Sequence, residues 1–153
     1  MISFRAANLT PYVAGEQPKD KKYIKLNTNE NPYPPSQSVA RAIRTFDLRR
    51  LKLYPDPDAS ELRKTIAEYE NVSAENIFVG NGSDEVLSFA FYALFNGNVA
   101  FPDVTYSFYP VYCDFYGISY SRVKLNEDFT VNVNDFAGGS FGGIALANPN
   151  APT

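Results

Sequence analysis

A chain of 153 residues that is 44% hydrophobic is long enough to bury one core, and its formal charge of -3 excludes the basic face that a nucleic-acid partner selects. The lack of histidine removes Ser-His-Asp and Cys-His hydrolysis and most zinc catalysis, while the lone Cys113 permits no internal disulfide. The most apolar run, residues 86–95, is far below the ~20 residues that span a bilayer, so no membrane is expected and a cytoplasmic setting fits best.

In chain order, Pro11, Pro18, Pro32, Pro34 and Pro35, with no sustained periodicity, predict an extended N-terminal arm over about residues 1–35. Such an arm lies against its own domain or a second subunit. Ser36 or Ser38 is placed to cap a short helix running to about Phe46, with Val39, Ala42, Ile43 and Phe46 on one face. Residues 1–45 therefore read as an arm plus a first helix, and 46–153 as the opening of a larger domain. The two prolines of Leu53-Tyr54-Pro55-Asp56-Pro57-Asp58 forbid helix. The following Asp58-Ala59-Ser60-Glu61 matches a capping box, which predicts a helix through about Glu70 that stops at Asn71.

From Asn76 the pattern becomes short apolar runs alternating with helices. The expected elements are a strand at Ile77-Phe78-Val79, a helix over 84–95, a strand over 98–101, a helix over 106–116, a strand over 119–124, and a last strand over 143–147. This alternation predicts an α/β fold with a parallel sheet. The chain then stops at Asn148-Pro149-Asn150-Ala151-Pro152-Thr153, directly after a strand and inside a turn, so the sequence reads as interrupted.

Two junctions carry the chemistry. Gly80-Asn81-Gly82-Ser83-Asp84-Glu85 follows an apolar run and opens a helix, where free N–H groups and the positive end of the helix dipole favour a phosphate. The alternative is that Ser83 caps the helix while Asp84 and Glu85 offset its dipole. Pro102-Asp103-Val104-Thr105-Tyr106 again follows a strand. In an open parallel sheet both loops lie at strand carboxyl ends, where Tyr106 either stacks on a flat ring or joins Phe108, Tyr112 and Phe115 in the core.

These two stretches, with Lys25-Leu26-Asn27-Thr28-Asn29-Glu30-Asn31-Pro32 and Leu53-Tyr54-Pro55 before them and Asn148-Pro149-Asn150-Ala151-Pro152-Thr153 after, resemble histidinol-phosphate aminotransferases in order and spacing. The resemblance implies the three-layer, mostly parallel large domain of the fold-type I aminotransferases, here incomplete, with pyridoxal 5'-phosphate as cofactor. It implies that backbone N–H groups around Gly82, Ser83 and Asp84 hold the phosphate and that Tyr106 stacks on the pyridine ring. Tyr54 would cross a homodimer interface to the neighbouring site, and Asn29, Glu30 and Asn31 would lie near the amino donor. The implied reaction is transamination between histidinol phosphate and 2-oxoglutarate in histidine biosynthesis. The same branch also holds aromatic amino acid aminotransferases and threonine-phosphate decarboxylases, and a non-catalytic binding module is the alternative outside it.

The sequence departs from the family pattern in two places. Ala151 stands where the family has an asparagine that bonds the ring hydroxyl oxygen, which leaves Asn150 or nothing to make that contact. The lysine that anchors the cofactor is also missing, because Lys19, Lys21, Lys22, Lys25, Lys52, Lys64 and Lys124 sit in no matching context. The chain by itself is therefore expected to be inactive.

Overall fold

The computed structural model describes residues 3–7, 9, 13 and 15–153. In chain order the elements are α1 (Phe4–Ala7), α2 (Gln37–Arg44), α3 (Ser60–Glu70), α4 (Gly82–Leu94), β1 (Val99–Pro102), α5 (Phe108–Tyr116), β2 (Tyr120–Val123), α6 (Val133–Ala137) and β3 (Gly143–Ile144), with 3₁₀ turns at Leu48–Lys52 and Ala74–Asn76. Two units separate by their internal contacts, Val13–Ile77 and Phe78–Thr153, the latter with the described residues among the first twelve.

In the Val13–Ile77 unit, residues 15–35 carry neither helix nor strand and are exposed throughout, whereas α1 at Phe4–Ala7 departs from the extended chain expected over residues 1–35. α2 is capped by Ser36, whose Oγ accepts the Val39 N–H at 3.4 Å, and Arg41 and Arg44 sit in its last turn, where the dipole favours cations. The α3 boundaries match expectation, and Asn71 ends the helix in the left-handed region at φ 54°.

The cap of α3 corrects the capping-box reading. Ala59 occupies the cap position with no side-chain bond, and Asp56 serves instead, accepting N–H bonds from Ser60 at 2.7 Å and Asp58 at 3.1 Å. Pro57 fixes the backbone so that the aspartate before it turns back on the helix start. Those N–H groups, Ser60 first, hold the Asp56 carboxyl below its usual range. From the first turn of α3, Arg63 reaches the carbonyls of Ala74 at 2.8 Å and Ile77 at 3.0 Å, tying the second 3₁₀ turn to the helix.

In the other unit β1 is central, pairing in parallel with β2 (Val99 opposite Tyr120) and with β3 (Val99 opposite Gly143), in the order β2-β1-β3. All four β1 residues are buried, as a parallel strand flanked on both edges requires. α4 packs against α5, and Phe91, Tyr109, Tyr112 and Cys113 from these helices join Val99 and Phe101, which share one face of β1, in a single cluster with Ala145. The result is an open, three-stranded parallel sheet, consistent with an incomplete fold-type I large domain.

Several expectations shift. Residues 77–79 form no strand, although Ile77 is extended, because the strands of the sheet pair among themselves and none supplies N–H and C=O partners to this segment. β3 covers Gly143–Ile144 rather than 143–147, although the Ala145 N–H still bonds the Ala100 carbonyl at 2.9 Å. α4 starts two residues earlier than expected, at Gly82, and α5 starts later, at Phe108. The polar stretch before Gly139 hides α6, capped by Asn132 and anchored by the buried Phe136. No helix among the described residues is long and apolar enough to cross a membrane.

Candidate cofactor site

The chain arrives at α4 through Gly80 and Asn81 and turns at Gly82, whose φ of +82° is costly for any residue with a Cβ. A Cβ built on Gly82 would meet nothing within 4 Å, so the space beside the loop is open. Asn81 holds the cap position, but its side chain accepts no helix N–H, and Ser83 lies inside the helix rather than capping it. The Gly82 N–H bonds the Gly80 carbonyl at 3.1 Å. Glu85 folds back so that its carboxylate accepts the Asn81 backbone N–H at 2.6 Å and the Asn81 amide at 3.3 Å. Of the loop's donors this leaves the N–H groups of Ser83 and Asp84 at the positive end of a 13-residue helix, a ready anion site.

The second junction meets the first at Asp84. The Tyr106 hydroxyl donates to Asp84 Oδ1 at 2.5 Å, and the Tyr112 hydroxyl donates to the Asp84 carbonyl at 3.0 Å and to Oδ1 at 3.3 Å. Tyr106 packs edge-on to Tyr109, with ring centroids 5.6 Å apart, and lies nearly parallel to Phe108 at 6.2 Å. Burial pushes the Tyr112 phenol up, with the charge of Asp84 acting in the same direction, and burial also raises Tyr109. Both phenols therefore stay protonated, and Tyr112 remains a donor, at neutral pH.

The loop that presents Tyr106 is pinned on both flanks. Asp103 donates its N–H to the Val123 carbonyl at 2.8 Å, and its carboxylate accepts the N–H groups of Leu125 and Val104, each at 3.0 Å. From the turn after β3, Asn150 bonds Thr105 and Val104. A groove of about 540 Å³ runs beside this loop, lined among others by Val104, Thr105, Tyr106, Ala151 and Pro152.

The structure thus gathers Gly82, Ser83, Asp84, Tyr106 and Asn150 in one unit, with Tyr106 after β1 and Asn150 after β3 at the carboxyl side of neighbouring strands and Gly82–Asp84 at a helix start that no strand precedes. Tyr54, Asn29, Glu30 and Asn31 belong to the Val13–Ile77 unit, where Tyr54 is fully exposed, Glu30 pairs with Lys25, and the Asn31 side chain accepts the Tyr33 N–H at 2.9 Å. Reading the sequence missed two contributors. Glu85 had a local signal, since it stands one helical turn after Asn81. Tyr112 had none, because its partner is 28 residues away.

The family model for aminotransferase class I and II matches residues 21–153. The chain belongs to that family. It is 56% identical over 148 residues to a histidinol-phosphate aminotransferase of Clostridium botulinum (strain 657 / Type Ba4), covering 95% of this chain and 42% of that protein. It is 54% identical to the enzyme of the same name from Syntrophus aciditrophicus (strain SB), covering 100% of this chain and 44% of that protein. The solved histidinol-phosphate aminotransferase of Sinorhizobium meliloti in complex with pyridoxal-5'-phosphate superposes with a TM-score of 0.71 at 25% identity, over 82% of this chain and 35% of that one. The chain therefore spans less than half the length of these relatives.

Proposed function

We propose that this chain forms the phosphate and ring-binding part of a pyridoxal 5'-phosphate site in a histidinol-phosphate aminotransferase, which exchanges the amino group of histidinol phosphate with 2-oxoglutarate. One observation carries the reading: the 2.5 Å bond from Tyr106 to Asp84 sets an aromatic ring beside a helix start whose Ser83 and Asp84 N–H groups take no side-chain cap. The donor set fits the cofactor. The Ser83 and Asp84 N–H groups would receive its phosphate, Gly82 would admit it by carrying no side chain, and Tyr106 would lie against the ring with its hydroxyl anchored on Asp84. Asn150 would serve the same site from the turn after β3. When bound, the cofactor supplies the electron sink that lets the donor's α-proton leave. Tyr54, fully exposed, would reach the neighbouring site of a homodimer, and the arm residues Asn29, Glu30 and Asn31 would face the amino donor.

Every lysine of the chain is exposed and none stands in a cofactor-anchoring context, so the chain alone is expected to bind the cofactor weakly and not to turn over. The similarity of named relatives supports a soluble biosynthetic enzyme, with a cytoplasmic setting as part of the proposal. The test uses the protein at the full length of its relatives. Bound-cofactor absorbance should be present, and turnover with histidinol phosphate should exceed that with phenylalanine. Tyr106→Ala should weaken cofactor binding by about 10-fold or more, the ~1–3 kcal/mol typical of losing an aromatic stacking platform. A faster rate with phenylalanine would assign the protein to the aromatic branch, and a full-length protein with no cofactor absorbance would overturn the site.

A further inference from the structure

Asn150 spends its amide inside the protein. Its Nδ2 donates to the Val104 carbonyl at 2.9 Å and to the Thr153 hydroxyl at 2.7 Å, while its Oδ1 accepts the Thr105 hydroxyl at 2.6 Å. An asparagine amide has two N–H donors, and both are taken. The partners in the β1 loop, Val104 and Thr105, lie 46 and 45 residues before Asn150 and directly precede Tyr106. Because β1 and β3 are neighbours in the sheet, the amide bridges the loops at the carboxyl ends of two adjacent strands. On the opposite flank Asp103 ties the same loop to the end of β2 through Val123 and Leu125. Held on both sides, residues 103–105 leave Tyr106 little freedom to swing.

We propose that Asn150 is a positioning residue, a clasp that fixes the loop presenting Tyr106, and that it acts on the cofactor through Thr105 and Tyr106 rather than by bonding the ring oxygen itself. Reaching that oxygen would require Nδ2 either to strand the half-buried Val104 carbonyl, which costs the desolvation of a group left without its donor, or to give up the exposed bond to the Thr153 hydroxyl that closes the turn. Asparagine suits the clasp because aspartate offers no N–H for Val104, whereas Ala151 beside it has no polar side chain for either task. The inference rests on the cofactor site proposed above for its consequence, but the clasp itself is a property of the protein alone.

The experiment uses the full-length protein and three readouts: hydrogen–deuterium exchange over residues 103–109 without cofactor, cofactor dissociation constant, and the pH midpoint of bound-cofactor absorbance. Asn150→Ala and Thr105→Val should each speed exchange over that segment and weaken cofactor binding by a similar factor, roughly 5- to 10-fold for a lost partly buried hydrogen bond. The double variant should be no worse than Asn150→Ala, Thr105→Ser should restore both readouts, and the pH midpoint should stay put in every variant. A midpoint that moves in Asn150→Ala but not in Thr105→Val would overturn the clasp in favour of a direct ring contact. Additive losses in the double variant, or exchange indifferent to Asn150→Ala, would overturn it as well. If the exchange pattern appears as expected in a protein that binds no cofactor, the clasp stands and the proposed function falls.

Discussion

Asp84 collects two phenols on one side chain and one carbonyl, and that concentration gives the site its rigidity. Tyr106 takes the carboxylate, and the buried Tyr112 takes the carbonyl of the helix's first turn and shares the carboxylate. Beside Tyr112, burial pushes the Cys113 thiol from its ordinary 9.0 up to about 11, with the Asp114 charge adding to the effect. Folding therefore favours the neutral thiol, and the stability it brings is complete below pH 9.0 and is lost as pH rises from there through about 11. Tyr109 and Tyr112, raised above an ordinary 10.0, add losses of the same sign at still higher pH. Thermal melts in small pH steps should be flat through neutrality and decline once the thiol's ordinary value is passed. Cys113→Ala should delay that decline toward the tyrosine range, and an onset unmoved by the substitution would show that the thiol has no part in it. Nothing local in the sequence marks Tyr112 or Cys113 as more than apolar positions on a helix, since their surroundings come from α4 and β1.

At the scale of elements, the β1-α5-β2 crossover was legible because apolar runs and helical spacing alternate cleanly from Asn98 to Val123. The short β3 depends on a contact that no pattern displays. Gly142 donates to the Asn98 carbonyl at 2.8 Å and accepts the Asn96 N–H at 3.3 Å, so the entry to β3 is zipped onto the segment that leads into β1. A Cβ at this position would lie 1.1 Å from the Asn96 carbonyl oxygen, an overlap only backbone movement relieves. Gly142→Ala should cost about 3 kcal/mol, at the upper end of overpacking losses, and should expose the Ala145 amide that now bonds Ala100. Urea melts with amide exchange at Ala145 check both, and a loss below roughly 1 kcal/mol with Ala145 still protected would show that β3 does not depend on this approach. The segment 77–79 shows the converse. Its composition is that of a strand, yet an extended run becomes one only where a neighbour offers its backbone.

For the whole molecule, the arrangement leaves much apolar surface uncovered. Tyr92 and Leu94 on α4, Ile144 and Leu146 at β3, and Leu48, Leu51 and Leu53 before α3 are all exposed, several by half or more of their surface. A domain that had closed its core would hide most of these. The 153-residue chain, purified by itself, should therefore self-associate at micromolar concentration and bind an apolar dye, as read by sedimentation velocity and dye fluorescence. A monomer with a cooperative melt and no dye binding would contradict this. The relatives it matches are more than twice its length, in keeping with a sheet of three strands that remains open at both edges.

By itself the sequence determined the family, the parallel α/β order, the strand-to-helix junction after β1 and the glycine turn that opens α4, because glycine placement, helical spacing and apolar runs are local consequences of backbone sterics and burial. The tertiary structure decided what those junctions hold. Only the packing of α4 against α5 brings Tyr106 and Tyr112 onto Asp84, and only the pairing of β1 with β3 lets Asn150 grip Thr105. A hydrogen bond between residues far apart in the chain leaves no periodicity to read, since its geometry is fixed by the sheet and not by the residues on either side of it.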